Sequence, residues 1–282
     1  CTSSPTVTIT PSTFSCLDLG SNTVTITSTD GSGNATTATK AITVVDNTAP
    51  TITANAATLT LDANGVAVLS SSAATAADNC SSSPSISYGQ STFTCADLGS
   101  NSVTVTATDA SGNAATATMT VTVQDNTAPT ITTLSGTVTI ALDANGAATI
   151  TSSDVVSATT DNCSSTLTVS VSPSTFDCDD IGSNIVTITA TDGAGNATTA
   201  TKSVTVVDNT APSIAVVSSA VTVALDANGA ATITSSSVMS STSDNCTSSP
   251  TVTITPSTFS CSDLGSNTCL LYTSDAADEL RS

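Results

Sequence analysis

The sequence predicts an all-β protein built from tandem immunoglobulin-like β-sandwich repeats in an elongated array. Two observations lead to this prediction. Apolar residues alternate with Thr over short runs, as in VTVTAT at 103–108, which is typical of strands with one buried and one solvent-facing side. A set of turn-forming motifs also returns in fixed order at intervals of about 80 residues, which is the signature of a repeat protein.

Five short motifs define the repeat. The first three are DNTAP (46–50, 125–129 and 208–212), LDANG (61–65, 142–146 and 225–229) and DNC (78–80, 161–163 and 244–246). FxCxD(L/I)GSN follows around Cys16, Cys95, Cys178 and Cys261, and TDxxGN then ends at Asn34, Asn113 and Asn196. This order predicts two complete repeats, 48–126 and 127–209, between a C-terminal half repeat at 1–47 and an N-terminal half repeat at 210–268.

Each complete repeat is expected to hold about seven short strands joined by tight turns, which favours an immunoglobulin-like sandwich. DANG lies between two alternating runs and is predicted to form a hairpin turn, in which Gly supplies a positive φ. TDxxGN is predicted to form a second hairpin. One Phe stands two residues before the later Cys of every repeat and is expected to be a core packing residue: Phe14, Phe93, Phe176 and Phe259. No segment has a helical period.

The charge balance excludes several kinds of partner. The chain carries 22 Asp and Glu against 3 Lys and Arg, which gives a formal net charge of −19. Nucleic acid and anionic lipid surfaces both require a basic face, so neither is an expected partner. No run of about 18 apolar residues is present, so we expect no membrane insertion from this segment.

Eight of the nine Cys residues form four pairs whose members are fifteen residues apart. We predict one disulfide within each repeat: Cys1 with Cys16, Cys80 with Cys95, Cys163 with Cys178, and Cys246 with Cys261. Zinc would need about four N or S ligands at one place, and a catalytic thiol would need an activating base, whereas the chain has no His. Disulfides indicate an oxidising, extracellular or cell-surface setting. Cys269 has no partner at this spacing.

Most of the acids lie at fixed places in turns and linkers, which suits Ca²⁺ because this ion takes oxygen ligands. In an immunoglobulin-like sandwich, the DNC and TDxxGN loops should lie at the end where the DNTAP linker enters. We therefore expect structural calcium at three junctions, formed by Asp46, Asn47, Asp78 and Asp109, by Asp125, Asn126, Asp161 and Asp192, and by Asp208, Asn209 and Asp244. The alternative is that Asp and Asn only cap their own turns, and we favour this interpretation for Asp62, Asp143 and Asp226 of DANG.

The series DNTAP, DNC, FxCxDLGSN and TATDxxGN resembles hyalin-type (HYR) repeats over residues 1–268. Such repeats occur in animal extracellular proteins and in very large bacterial surface adhesins, and the richness in Thr, Ser, Ala and Asp looks more bacterial. The DNTAP junction also looks like the calcium-binding linkers of cadherins and of bacterial adhesin arrays. The resemblance implies an extracellular, adhesion-associated sandwich repeat. Typical members carry further Cys in late strands where this chain has Thr or Val, so their disulfide pairing is not transferred.

These features predict structural spacer repeats of an extracellular adhesin or filament, and no enzyme activity. General acid–base catalysis usually draws on His, Glu or Lys, whereas the acids here are Asp residues that recur in every repeat. The expected partners are neighbouring repeats of the same chain and other cell-surface or matrix components. The alternative is an immunoglobulin-like module that binds a ligand or glycan directly, for which Tyr88 is the one Tyr in the repeat region.

The repeat pattern stops at Cys269. Where earlier repeats continue the Val–Thr alternation after Ser-Asn, the last one continues CLLYTSDAADE after one Thr. Cys269–Glu279 resembles the translation of a transposase-type sequencing-library adapter, and we expect residues 269–282 to be a non-native tail. We accordingly expect the last repeat, without its two final strands, to be poorly closed.

Overall fold

A computed structural model describes residues 4–274. Within them the regular structure is almost entirely β, and the helical elements are short 3₁₀ turns and one helix of four residues, α1 (Ser235–Val238). The chain divides into two compact units, Cys1–Thr127 and Ala128–Ser282. The all-β class predicted from the sequence is confirmed.

The N-terminal half repeat forms one antiparallel sheet of three strands, in the order β1 (Thr6–Thr10), β2 (Gly20–Thr29) and β3 (Ala35–Val44). The TDGSGN turn between β2 and β3 is closed by the Asp30 amide, which donates to the Asn34 carbonyl at 2.9 Å. This confirms the predicted hairpin. The same bond recurs in the next two repeats, from Asp109 to Asn113 and from Asp192 to Asn196.

The second repeat contains eight strands, one more than expected. They are β4 (Thr51–Ala54), β5 (Ala57–Thr60), β6 (Val66–Val68), β7 (Ala74–Ala77), β8 (Ser85–Tyr88), β9 (Thr92–Thr94), β10 (Gly99–Thr108) and β11 (Ala114–Gln124). Four of them form a sheet in the order β5-β11-β10-β8, and the pairs β4-β7 and β6-β9 form the other layer. β5 runs parallel to β11, whereas the other pairs are antiparallel.

The core of the second repeat lies between these layers and follows the expected period of two. Along β10, the side chains of Val103, Val105 and Ala107 are buried, while the Thr residues between them are exposed or half-buried. Phe93 is fully buried, at 0% exposure, which confirms its predicted place in the core. Full burial of an apolar side chain of this kind contributes roughly 2 kcal/mol, so these positions dominate the stability of the repeat.

The third repeat has the same architecture. Its strands are β12 (Thr130–Thr133), β13 (Val138–Ala141), β14 (Ala148–Thr149), β15 (Val156–Thr160), β16 (Thr168–Ser172), β17 (Thr175–Phe176), β18 (Gly182–Thr191) and β19 (Ala197–Val207). They form a sheet in the order β13-β19-β18-β16 with the pairs β12-β15 and β14-β17. The core consists of Leu142, Ile150, Val155, Phe176, Val186, Ile188, Val204 and Val206.

The core of the last repeat is less well packed. Its strands are β20 (Ser213–Val216), β21 (Ala230–Thr232), β22 (Met239–Ser243), β23 (Thr251–Thr255), β24 (Thr258–Ser260) and β25 (Leu270–Ser274). Ile233 is its one buried apolar side chain among the described residues, apart from Pro250. A cavity of about 430 Å³ lies beside Ile233, Phe259 and Leu271. The core of this repeat is therefore open, in contrast to the two complete repeats.

Strand β25 lies in the segment where the Thr alternation stops, yet it pairs with β23 in the register of the N-terminal half repeat. Thr255 is opposite Leu270, just as Thr10 is opposite Thr25. Backbone pairing requires no particular side chain, so a strand forms although Leu270 is 65% exposed. Residues 275–282, the rest of the tail predicted to be non-native, lie outside the described residues.

The LDANG segments form tight turns, but these turns do not connect hairpin strands of one sheet. Gly65 has a φ of +72°, and its amide donates to the Asp62 carbonyl at 2.9 Å. The strand before the turn, β5, belongs to the four-stranded sheet, whereas β6 after it pairs with β9. The hairpin prediction is therefore wrong, because turn chemistry fixes how sharply the chain reverses but not which sheet each flanking strand joins.

Candidate metal centre and disulfides at the repeat ends

A short capping box fixes the later Cys of each repeat. In the first repeat, Ser15 caps a 3₁₀ turn at Cys16–Asp18, and Asp18 Oδ2 accepts from the Ser15 amide at 2.8 Å. The equivalent turns lie at Cys95–Asp97, Cys178–Asp180 and Cys261–Asp263, each with a capping box. The pattern of a Ser, Thr or Asp cap, then Cys, then Asp therefore places each Cys at the first position of a turn.

Two disulfides join successive repeats. Cys16 is bonded to Cys80 with their Cα atoms 5.0 Å apart, and Cys178 to Cys246 with their Cα atoms 5.3 Å apart. Cys95 and Cys163 are also disulfide-bonded, whereas Cys261 and Cys269 are free thiols. The disulfides predicted within single repeats are therefore wrong: Cys80–Cys95, Cys163–Cys178, Cys246–Cys261 and, because Cys16 pairs elsewhere, Cys1–Cys16. Cys1 itself lies outside the described residues.

Strand geometry explains why the two Cys of one repeat do not pair. Cys80 precedes β8, whose first residue Ser85 lies opposite Thr108 at the end of β10, whereas Cys95 lies just before Gly99 at the start of β10. Strand β10 has ten residues, so its ends are about 30 Å apart at the usual rise. A disulfide needs Cα atoms about 4.4–6.8 Å apart. The two Cys therefore lie too far apart to bond.

The Asp of every DNC motif uses one carboxylate oxygen to hold its own loop. Asp78 Oδ2 accepts from the amides of Cys80 at 2.9 Å and Ser81 at 2.8 Å. Asp161 and Asp244 accept the equivalent pairs of amides. In all three, the other oxygen, Oδ1, is buried and has no hydrogen-bond partner among the described residues. An unpaired buried oxygen of this kind is costly, so each loop presents an oxygen suited to a ligand.

The two carboxylate oxygens of Asp46, in the linker, differ in their contacts in the same way. Oδ1 accepts from the Thr48 amide at 3.0 Å, and Oδ2 is buried without a hydrogen-bond partner in the described part of the chain. The backbone carbonyl of Asp46 accepts from Nδ2 of Asn113 at 3.0 Å. Asn113 belongs to the TDASGN hairpin, so this bond ties the linker to the hairpin of the second repeat.

Asp109 organises that hairpin and is 8% exposed. Its Oδ1 accepts from the amides of Ser111 at 2.9 Å and Asn113 at 2.8 Å, and its Oδ2 accepts from Nδ2 of Asn113 at 2.7 Å. Burial acts to raise the pKa of Asp109, but these hydrogen bonds favour the charged form and together hold the pKa below its ordinary value of 3.8. Asp109 therefore carries a negative charge at neutral pH.

Three separate segments bring their carboxylates together at the start of the second repeat. Asp46, Asp78 and Asp109 each present an oxygen within 4.8 Å of the other two. The disulfide between Cys16 and Cys80 belongs to the same end of the repeat, because Cys80 is in the loop of Asp78. Of the residues predicted for this junction, the three acids converge, whereas the side chain of Asn47 is exposed.

This donor set fits a hard divalent cation such as Ca²⁺. Every candidate ligand atom is an oxygen, and two of the oxygens are buried without a hydrogen-bond partner among the described residues. At a separation within 4.8 Å, the carboxylates of Asp46 and Asp78 repel each other by about 3 kcal/mol or more at an effective dielectric constant of about 20. A cation would offset this repulsion, and backbone carbonyls and water commonly complete the Ca²⁺ shell.

In the second unit, Asp208 and Asp244 flank Asn245. Asp208 is 8% exposed, and its Oδ1 accepts from Nδ2 of Asn245 at 3.2 Å. Asn245 Nδ2 also donates to the carbonyl of Asp143 in the LDANG turn at 3.1 Å. Asp244 Oδ1 and Asn245 Oδ1 are both buried without a hydrogen-bond partner among residues 4–274. The two acids predicted for the third junction thus share a neighbour in Asn245, whereas Asn209 is exposed.

The residues predicted for the second junction belong to both units. In the first unit, Asp125 is buried and accepts from the Thr127 amide at 3.1 Å, and Asn126 is exposed. In the second unit, the loops of Asp161 and Asp192 contact each other, since the Gly193 amide donates to Ser164 Oγ at 3.0 Å. Burial acts to raise the pKa of Asp192, but hydrogen bonds from Asn196, Gly195 and Ala194 lower it below 3.8.

The acids of the LDANG turns bind their own backbone, as predicted for them. Asp62 Oδ1 accepts from the amides of Asn64 at 2.8 Å and Val66 at 3.0 Å. The same two bonds form at Asp143 and at Asp226. The interpretation of these acids as turn formers is confirmed.

Two amide side chains of the site were missed in the sequence, Asn113 and Asn245. Each stands in a motif that recurs in the repeats, at the end of TDxxGN and in the middle of DNC. Their recurrence beside the acids was the available signal. The motifs do not reveal that both side chains donate to backbone carbonyls of other segments, Asn113 to Asp46 and Asn245 to Asp143.

The fold and its repeated motifs define a series of immunoglobulin-like β-sandwich modules. Residues 45–123 match the family model of the HYR domain, so the HYR resemblance is confirmed over that stretch. No curated protein matches the chain at a significant level. No helix among the described residues is long and apolar enough to cross a membrane.

The solved structures that the chain matches include cadherin and immunoglobulin arrays. PcdhgB3 EC1-4 is 18% identical with a TM-score of 0.29, and the match covers 67% of this chain and 57% of that one. Protocadherin Gamma B7 extracellular cadherin domains 1-4 are 13% identical with a TM-score of 0.33, covering 93% and 76%. Sidekick-1 immunoglobulin domains 1-4 are 13% identical with a TM-score of 0.32, covering 72% and 68%.

Proposed function

We propose that this chain is a spacer segment of an extracellular or cell-surface adhesion protein, in which Ca²⁺ couples successive sandwich repeats. The observation that carries the proposal is the convergence of Asp46, Asp78 and Asp109, with two buried oxygens that have no hydrogen-bond partner among the described residues. The role is structural and not catalytic, because the same acids recur as repeat elements and not in one cleft.

The three acids come from segments that belong to different repeats. Asp46 is in the linker after β3, whereas Asp78 and Asp109 are in loops of the second repeat. A cation bound to all three would fix the linker against both loops, and the repulsion among the carboxylates would otherwise favour separating them. The disulfide from Cys16 to Cys80 supports the same role, since it links the same two repeats covalently.

The repeat pattern extends the proposal to the equivalent acids of later repeats. Asp161 and Asp244 each have a buried Oδ1, as Asp78 does. Asp208 is the first residue of its DNTAP linker, as Asp46 is in the first linker. The partners are then the neighbouring repeats, together with other components of a cell surface or matrix. Disulfides that join successive repeats support an oxidising, extracellular location.

Direct binding of a ligand or glycan is the alternative function. Tyr88, its aromatic candidate, uses its hydroxyl within the fold, where it donates to the Ser71 carbonyl and accepts from the Ala74 amide, both at 3.1 Å. No described feature therefore favours this alternative over the spacer function.

Thermal unfolding of the whole chain with and without Ca²⁺ tests the proposal. We expect Ca²⁺ to raise the melting temperature, and a ligand at about 100 times its Kd contributes about 2.7 kcal/mol per site. The double variant Asp46→Asn with Asp78→Asn removes two charges from the cluster and should reduce this gain. The matched control is Asp62→Asn, which changes a turn Asp of the same repeat and should keep the full gain. Melting curves that are identical in Ca²⁺ and EDTA would overturn the proposal.

A further inference from the structure

The contact between the last two repeats shows how one repeat receives the DNC loop of the next. Asn245 Nδ2 donates to the Asp143 carbonyl at 3.1 Å, the Asn245 carbonyl oxygen lies 3.5 Å from Cys178 Sγ, and Cys246 is bonded to Cys178. Gly146 makes room for this loop, since a Cβ atom there would lie 2.6 Å from Cys178 Sγ and 2.9 Å from the Asn245 oxygen. The receiving face thus consists of an LDANG turn and the Cys of a 3₁₀ turn.

The last repeat carries the same face, formed by Asp226, Gly229 and Cys261, which we call the Cys261 face. The φ of Gly229 is +74°, against +73° for Gly146. Cys261 Sγ lies 3.8 Å from the Gly229 carbonyl oxygen, as Cys178 Sγ lies 3.7 Å from that of Gly146. A Cβ atom on Gly229 would lie 2.8 Å from Cys261 Sγ, so the two faces share the close approach of turn and sulfur.

The two faces differ in their sulfur chemistry. Cys261 is an exposed free thiol. Its counterparts Cys16 and Cys178 are both bonded to the Cys of a DNC loop in the following repeat, and in both cases the sulfur lies within 3.5 Å of the carbonyl oxygen of the Asn before that Cys. The complete receiving face, with its LDANG turn, is thus occupied by a DNC loop at Cys178, and Cys16 bonds the same kind of loop from a half repeat that has no LDANG turn.

We propose that the Cys261 face binds the Asp-Asn-Cys loop of a further repeat of the same type and forms a disulfide with it. The Asn side chain of the entering loop donates to the Asp226 carbonyl, and the absence of a side chain at Gly229 leaves room for the loop backbone. Both groups lie beside the thiol, so the face selects a DNC loop over an arbitrary thiol partner. This proposal goes beyond calcium coupling and does not depend on it.

The covalent step is a thiol–disulfide exchange. The Cys261 thiolate attacks the sulfur of an entering Cys that is held as a mixed disulfide with glutathione. The new bond joins Cys261 to the entering Cys, and the bond to glutathione breaks. Glutathione leaves as a thiolate and takes up the proton that Cys261 lost, so Cys261 is oxidised, glutathione is reduced, and the number of disulfides is unchanged.

A labelling experiment on the whole chain tests the recognition. The probe is a synthetic peptide with the sequence SDNCTSS of residues 243–249, supplied as its glutathione mixed disulfide in EDTA, so that calcium cannot contribute. The comparison peptide carries the change corresponding to Asn245→Ala. Peptide mapping by mass spectrometry measures adducts at Cys261 and at Cys269, the internal control thiol. Labelling by oxidised glutathione corrects for the different exposure of the two thiols.

We expect the change in the peptide to reduce the labelling of Cys261 roughly three- to ten-fold, the effect of losing one hydrogen bond, and to leave Cys269 unchanged. The protein variant Gly229→Ala should likewise reduce the ratio of Cys261 labelling by the unmodified peptide to Cys261 labelling by the changed peptide. Equal labelling of Cys261 by both peptides would overturn the proposal. Because the peptide arm leaves the protein unaltered, this outcome can be read even where Gly229→Ala fails to fold.

Discussion

Removing the disulfide between Cys178 and Cys246 should destabilise both repeats that it connects. The double variant Cys178→Ser with Cys246→Ser breaks the link without leaving an odd thiol. The two residues are 68 apart in the sequence, and closing a loop of that length in the unfolded chain is worth about 4 kcal/mol in the chain-entropy model. A loss of this size lowers the melting temperature of a unit of this length by roughly 8–16 °C.

Differential scanning calorimetry of the whole chain under non-reducing conditions measures this loss, with Cys261→Ser as the matched control. Cys261 is a free thiol, so this variant should melt like the unmodified protein. A disulfide within the last repeat, from Cys246 to Cys261, would instead make Cys261→Ser cost about 3 kcal/mol. A large loss in Cys261→Ser, or a mapped Cys246–Cys261 pair, would refute the between-repeat pairing.

Two further predictions concern the core and the turns. Phe93→Ala should lower the free energy of unfolding, measured in urea, by about 3–5 kcal/mol, because Phe93 is fully buried. Phe259→Ala should lower it clearly less, because Phe259 lies beside the open cavity. Equal losses would contradict the contrast between closed and open cores. Backbone hydrogen bonds lower the pKa of Asp143 and Asp154, so their stabilisation is present above about pH 4 and is lost as the pH falls further. In EDTA, the melting temperature should therefore decrease as the pH is lowered below about 4. An increase in melting temperature on acidification would show that repulsion among the acids outweighs these bonds.

Much of the fold could be predicted from local patterns in the sequence. The alternation in β10 predicts which of its side chains are buried, and TDxxGN predicts a hairpin that one Asp closes. The convergence of Asp46, Asp78 and Asp109 was also predictable, because the sandwich topology brings the linker and two loops to one end. These features depend on short-range patterns or on a topology that many sandwiches share.

The disulfide pairing could not be predicted from the spacing of the Cys residues. Each repeat contributes one early and one late Cys, so pairing within a repeat and pairing between repeats leave the same periodic pattern in the sequence. The deciding fact is that Cys80 and Cys95 lie at opposite ends of β10, which follows from the register of β8 on β10 and not from the length of the intervening segment. The LDANG turn failed as a hairpin for a similar reason, since β5 and β6 join different sheets.

Calorimetric titration of the metal-free whole chain with Ca²⁺ measures directly whether the clustered acids bind this ion. We expect saturable binding with a Kd of roughly 10⁻⁴–10⁻³ M, as in extracellular calcium modules, and fewer bound ions in Asp46→Asn with Asp78→Asn than in Asp62→Asn. The absence of saturable binding up to about ten times the weaker of these Kd values, or equal stoichiometry in the two variants, would contradict this expectation.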